Sequence, residues 1–492
     1  MDSKQLYYAL GLSMISVTSM AKVDNPNVVI IMTDEHNFRT LGCYREQLDE
    51  ALAFPWGKDV AVETPHLDAL AHGGLMCMNC YATNPVSGPS RSSFMTGLYP
   101  QVTGVDQNNK SLKSETVTFA ELLSRSGYAT GYVGKWHLDG DAKPGWTPKN
   151  KFGWADNLYM FNRGHWKKLA DEDGQPVVAA RDKKGNFTES TVAGADERSY
   201  TTDFLTDKAM NFIRNNKTKP FCCMLSLPDP HGRNIVRAPY DTQYASVQFE
   251  RPYSASADVT GMPSWTEKSK RTIIDTPNGM SQYWGMVKCI DDNIGKLCQF
   301  LKNEGLYDNT IIIFTSDHGD LLGEHGRDNK SVPFEASAKI PCIWYYPSAI
   351  KPGTVLNTPI SHSDFMPTLL GMVNVKNTQR CHGKDRSQLL LGKAADAGDI
   401  VTFRGGKGWM AATDGRYKLI ITKGKTEIPV LYDLKNDPNE MKNIFSAESS
   451  KAHTKKLAQA LKDYCISCEE PLWNEAKVKS EVEHIIKAQS RN

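Results

Sequence analysis

Ser87-Gly88-Pro89-Ser90-Arg91, continuing as Ser92-Ser93-Phe94-Met95-Thr96-Gly97, sets a small nucleophile, a tight turn and a guanidinium side by side. Pro89 pre-sets a helical φ in a first turn and Gly97 suits a C-terminal stop, so the spacing predicts a short helix opening near Ser87. A helix start gathers unpaired N–H groups and the positive end of the dipole, which favour a bound anion. A hydroxyl in such a cradle, with Arg91 four residues on, suits attack on a negatively charged ester. The same string suits a capped surface helix, and the segment by itself leaves both readings open.

Other chemistry-bearing residues follow apolar runs. Val28–Met32 leads into Asp34-Glu35, Ala129–Val133 into Lys135-Trp136-His137, Phe221–Ser226 into Asp229-Pro230-His231, and Thr310–Phe314 into Asp317-His318. Runs rich in β-branched residues suit strands of a buried, largely parallel sheet, and open α/β sheets place their sites beyond the carboxyl ends of the strands. The four charged ends are therefore expected to converge. Asp34, Glu35, Asp317 and His318, beside Ser87, are candidate ligands of a divalent cation, and the majority of oxygen donors favours calcium over zinc. Such a cation would hold an oxygen of the ester and favour the ionised form of the attacking hydroxyl.

These residues need a framework. Helices are expected from Pro65, over Tyr283–Leu301 and over Asp364–Leu370, between the strands. Residues 140–200, rich in Gly, Lys, Asp and aromatics, read as long loops laid over the strand ends. Val401–Tyr432 alternates like a small antiparallel sheet with a turn at Asp414-Gly415, closed by a final helix over Ala452–Tyr464. The expected fold is α/β: a large mixed, mostly parallel sheet sandwiched by helices, with a smaller C-terminal α+β subdomain. The expected division is an export signal at 1–21, a catalytic domain at 22–375 and the subdomain at 376–492. The signal reading rests on Lys4, the apolar run Leu6–Val17 and the small residues Ser19 and Ala21. It implies a periplasmic or secreted protein with no stable membrane insertion.

A chain of 492 residues can bury a large core, and a net charge of +2 with no basic run argues against nucleic acid. Eleven cysteines are an odd number for a fully paired secreted protein. Cys77-x-x-Cys80 and Cys465-x-x-Cys468 lack partners at zinc-finger spacing and read as structural thiols, with which one disulfide is compatible.

The Ser87–Gly97 string resembles the signature of the type I sulfatases of the alkaline phosphatase superfamily: Cys or Ser, x, Pro, Ser or other, Arg, then x-Ser-x-x-Thr-Gly. Gly127–Leu138, which contains Gly134-Lys135-Trp136-His137, is similar to the family's second signature, and Leu431–Leu434 with Asp437–Glu440 to its C-terminal subdomain. The resemblance implies that Ser87 is converted to formylglycine (3-oxoalanine), whose hydrate carries two hydroxyls on one carbon. It implies that Arg91 stabilises that hydrate, that Lys135 positions the sulfate, and that His137 is the base that opens the sulfated intermediate. His231 and Lys330 would grip the bridging side of the ester, one of them protonating the leaving alcohol. Glu35 departs from the family pattern, where Asp or Gln is more usual. Serine at position 87 implies maturation by the anaerobic radical sulfatase-maturing enzyme, an anaerobic bacterial source, and no activity in a host lacking that enzyme.

The expected function is that of an exported carbohydrate O-sulfatase acting on glycosaminoglycan or mucin-type oligosaccharides, similar to bacterial glycan sulfatases. His165, Glu324, His325 and Arg404 are candidate sugar contacts. The alternatives are an aryl or choline sulfatase, a phosphonate or phosphodiester hydrolase of the same superfamily, and a non-catalytic sulfoglycan-binding homologue. A phosphatase with two zinc ions would need a second His and Asp cluster, which the sequence alone does not assemble.

Overall fold

Alternation along one strand decides the architecture. In Asn27–Asp34, Val28, Ile30 and Met32 pack with Phe94, Leu122 and Phe365, whereas Val29 and Ile31 pack with Leu67, Leu205 and Ile290. Successive side chains of a strand point to opposite faces, so a run apolar at every position is buried on both and needs helices on each side. The computed structural model describes residues 25–395 and 398–487; the expected export signal lies outside them.

The large sheet has eight strands in the spatial order Thr354–Leu356, Leu75–Cys77, Cys342–Tyr345, Thr310–Ser316, Asn27–Asp34, Phe221–Pro230, Ala129–Lys135 and Met160–Phe161. The last five are mutually parallel, and Cys342–Tyr345 runs against both of its neighbours. Helices Ser87–Thr96, Phe119–Arg125 and Phe365–Met372 cover one face; Pro65–Gly73, Thr201–Asn216 and Gly279–Asn303 cover the other.

The C-terminal subdomain is an antiparallel sheet of Val401–Gly405, Trp409–Thr413, Tyr417–Thr422 and Val430–Asp433. Met410 and Ala412 face helices Lys451–Ser467 and Ala476–Lys487, while Trp409 and Ala411 face Tyr81 and Phe334 of the large lobe. Three expectations change in detail. Lys451–Ser467 is not the last helix, because Ala476–Lys487 adds Val478 and Val482 to the same apolar face. The segment 140–200 contains a hairpin, Leu169–Glu172 with Gln175–Val178, turned by Asp173-Gly174. None of the eleven cysteines is in a disulfide. Among the described residues, no helix is long and apolar enough to cross a membrane.

Candidate active site

The helix Ser87–Thr96 starts at the proposed nucleophile and ends at Gly97, whose φ of 68° is the left-handed conformation that glycine adopts without strain. The strand Ala129–Lys135 needs glycine at 134. Its φ is 110°, and a Cβ there would lie 1.9 Å from the Ser226 carbonyl oxygen. That approach turns Lys135 and His137 toward the helix start.

Ser87 Oγ lies 3.4 Å from Asp34 Oδ1 and 3.0 Å from His318 Nε2. The ring of His318 is oriented by its other nitrogen, with Nδ1 3.0 Å from the Gly319 carbonyl oxygen. An N–H donated there leaves the Nε2 lone pair facing Ser87 and the carboxylates. Asp34, Asp317 and His318 are fully buried and offer ligand atoms that all lie within 4.8 Å of one another. Two carboxylates, an imidazole and a hydroxyl converging in a buried chamber fit a divalent cation.

Arg91 closes the chamber. Its Nε donates to Asp317 Oδ2 at 2.8 Å, and its Nη1 donates to the Lys135 carbonyl at 2.8 Å and to Ser226 Oγ at 2.7 Å. Its Nη2 has no hydrogen-bond partner and sits 3.9 Å from Asp34 Oδ2. Lys135 Nζ pairs with Asp34 Oδ2 and lies 2.9 Å from His165 Nε2. Burial would raise the Asp34 pKa, but Lys135, His231 and His165 outweigh it and hold the carboxyl well below its usual range.

Glu35 has φ of 61°, and its carboxylate pairs with Lys330 and His231. Oε1 lies 2.9 Å from Lys330 Nζ, and Oε2 lies 2.9 Å from His231 Nε2. Burial alone would raise its pKa; His231 and Lys330 beside it lower it to about 2. Glu35 is thus absent from the three-residue donor set around Ser87 and instead forms a triad with Lys330 and His231.

Residues 26–375 match the family described as Sulfatase. The chain belongs to that family. It is a sulfuric ester hydrolase. Residues 323–466 also match the family described as N-sulphoglucosamine sulphohydrolase, C-terminal. The chain is 27% identical to an N-acetylglucosamine-6-O-sulfatase of Bacteroides thetaiotaomicron, over 92% of its own length and 89% of that protein's. It is 28% identical to an ulvan-active sulfatase of Formosa agariphila, over 85% and 77% of the two chains. A solved structure in complex with its substrate, D-glucosamine-2-N,6-O-disulfate, superposes with a TM-score of 0.74 at 25% identity, covering 92% of this chain and all of that one.

In this sulfatase the ring of His165 stacks on His231, centroids 3.6 Å apart and planes within 10°. Asp34, His165 and His231 form a second group with ligand-atom spacing. Two ammonium groups already stand there, Lys135 Nζ against His165 and Lys330 Nζ 2.7 Å from His231 Nε2. Fixed positive charge at that position suits an anion rather than a second cation. His137 is held by its backbone, N–H to the Asn162 carbonyl at 2.8 Å, while neither ring nitrogen has a partner. Burial, then Lys135 and Arg91, push its pKa well below the usual imidazole value, which keeps the ring neutral.

The other candidate sugar contacts lie elsewhere. Glu324 is buried against Arg39 at 2.9 Å, His325 stacks on Phe334 at 3.5 Å, and Arg404 is buried 3.4 Å from Glu470. All three are buried against protein partners, and none shares a hydrogen bond or ion pair with Ser87, Asp34, Asp317 or His318. Reasoning from sequence missed Lys167, which donates to Asp229 Oδ1 at 2.6 Å and to the His231 carbonyl at 3.2 Å, bracing the turn that carries His231. Asp229 stood in view at a strand end; its partner sits in a loop with no pattern to mark it.

Proposed function

We propose that this sulfatase is an exported carbohydrate O-sulfatase that removes sulfate from glycosaminoglycan or mucin-type oligosaccharides, with Ser87 matured to formylglycine. The observation that carries the reading is the convergence of two unlike groups on Asp34: Ser87, Asp317 and His318 with cation-ligand spacing, and Lys135, His165 and His231 bringing nitrogen groups to the same carboxylate. Sugar specificity is supported by the relatives, an N-acetylglucosamine-6-O-sulfatase and a structure holding a disulfated glucosamine, which favour a 6-O-sulfated amino sugar.

A calcium ion would be held by Asp34, Asp317, His318 and position 87, and would supply charge neutralisation to a sulfate oxygen. Hydrated formylglycine would offer one hydroxyl to attack sulfur and a second whose deprotonation releases sulfate. The chain's own residues then divide the work. Lys135 and Arg91 hold negative charge on the sulfuryl group, and His137, neutral and unpartnered, takes a proton. His231 Nε2 faces a donor, Lys330, and an acceptor, Glu35, so it can pass a proton to the bridging oxygen as the S–O bond breaks. Conversion of Ser87 to formylglycine would need the anaerobic radical sulfatase-maturing enzyme as a partner, and export would then carry the protein to the periplasm or beyond.

Matured protein assayed on a panel of sulfated sugars, 4-nitrophenyl sulfate and phosphate diesters tests the reading. Fastest turnover of 6-O-sulfated amino sugars is expected, with the peptide around Ser87 lighter by two hydrogens in a mass spectrum. Faster turnover of phosphate diesters, or unmodified Ser87 in protein purified active from its native host, overturns it.

A further inference from the structure

Lys330 reaches the cleft from residues 327–334, a loop without helix or strand. Asn329 and Ser331 have φ of 65° and 75°, a left-handed conformation that costs non-glycine residues energy and persists only where neighbours enforce it. The large lobe holds one side of the loop: Asn329 N–H donates to Asp320 Oδ1 at 2.7 Å, and Ser331 N–H to the Pro85 carbonyl at 3.1 Å. The other side is held by the C-terminal sheet. Trp409 Nε1–H donates to the Ser331 carbonyl at 3.2 Å, and Lys418 Nζ donates to the Pro333 carbonyl at 2.7 Å and to Glu335 Oε1 at 2.8 Å. Glu440 completes the clamp, accepting the Glu335 N–H at 2.7 Å and pairing with Lys418 at 2.5 Å.

Trp409 and Lys418 are fully buried. An ammonium withdrawn from water is costly, and an apolar side chain of similar volume often serves stability as well or better. Lys418 spends its charge on two glutamates and a carbonyl that all define where the chain runs after Lys330. We propose that Lys418 and Trp409 are positioning residues through which the C-terminal subdomain fixes Lys330 against His231 and Glu35. The proposal rests on the reading of Lys330 and His231 as the leaving-group side of the sulfate ester. If the clamp loosens, Lys330 shifts and protonation of a sugar alkoxide suffers. A nitrophenolate, which leaves without a proton, is affected far less.

The test compares matured wild-type protein with Trp409→Phe, which deletes one N–H and keeps most of the ring volume, and with Lys418→Met and Lys418→Arg. Hydrogen exchange of the 327–334 amides is expected to accelerate in Trp409→Phe and Lys418→Met. kcat on a sulfated sugar is expected to fall roughly 10- to 100-fold, the scale of a small misplacement of a catalytic group. The fall on 4-nitrophenyl sulfate should be much smaller, Lys418→Arg should recover part of the loss, and neither loss should add to that of Lys330→Ala. Should Lys418→Met fail to fold, Trp409→Phe decides alone. Unchanged exchange, or equal losses on both substrates that add to Lys330→Ala, overturns the proposal. Wild-type protein that is matured but hydrolyses no sulfate ester would refute the proposed function instead, and the exchange result would still decide whether the clamp exists.

Discussion

The ammonium of Lys330 and the imidazole of His231 meet at 2.7 Å above the carboxylate of Glu35, which lies 2.9 Å from each. The ionised Glu35 carboxylate can only accept and the Lys330 ammonium can only donate, so His231 Nε2 stands between an acceptor and a donor. Replacing His231 by Ala is expected to lower kcat on sulfated sugars by about 10²–10⁴, the range of a general acid. Aryl sulfates should lose much less, and steady-state kinetics on the two substrate types reads the difference. Equal losses would remove His231 from the leaving-group side.

Arg91 predicts a stability effect. It is fully buried, and its fork spans Asp317, the Lys135 carbonyl and Ser226. A lysine ammonium on a flexible stem cannot reach all three from one position. Arg91→Lys should therefore destabilise the fold by about 3–5 kcal/mol, the scale for breaking a buried charged network, and abolish activity. Urea unfolding measures the first effect, and an unchanged midpoint would contradict it.

How much of this was legible beforehand differs between backbone and side chains. The four apolar runs ending in charged residues announced both the parallel sheet and the edge where its site lies, because a strand buried on two faces leaves no other pattern. Pro89 and Gly97 bounded the helix Ser87–Thr96 because each has a strong backbone preference. Orientation was not legible. Glu35 adjoins Asp34 in sequence, yet a left-handed φ turns its carboxylate to Lys330 and His231. Glu324 and His325 stand close before Lys330, but Arg39 and Phe334 draw them inward. The hairpin Leu169–Glu172 with Gln175–Val178 is half exposed, so it lacked a continuous apolar run.

The donor geometry predicts how a cation behaves. Asp34, Asp317 and His318 form a ligand-spaced group beside Ser87, whereas Glu35 is paired with Lys330 and His231. Chelation should therefore abolish sulfatase activity and lower the melting temperature, because a ligand of the native state alone stabilises it in proportion to the logarithm of its concentration over Kd. Added calcium should restore both. Asp317→Asn should lose the ion, while Glu35→Gln should retain it by elemental analysis. Loss of the ion from Glu35→Gln would assign Glu35 to the cation instead.

Asp291 gives a pH dependence separate from the active site. Its Oδ1 accepts from His66 N–H at 3.1 Å and Leu67 N–H at 2.8 Å, capping the helix Pro65–Gly73. Burial raises its carboxyl from 3.8 to about 7, more than these backbone bonds and Lys288, 4.0 Å away, can offset. The folded state therefore holds the proton more tightly than the unfolded chain between those values, and stability falls as pH rises across them. Three units correspond to about 4 kcal/mol, absent below the unfolded pKa and complete above the folded one. Asp291→Asn keeps an oxygen for both N–H groups and carries no charge. It should stabilise the protein by roughly 2–4 kcal/mol above pH 7, and this gain should fade toward pH 4. Urea unfolding of both proteins at the two ends of that range measures it. An equal difference at both ends would mean that Asp291 is ionised throughout, with its charge already compensated by Lys288 and the helix start.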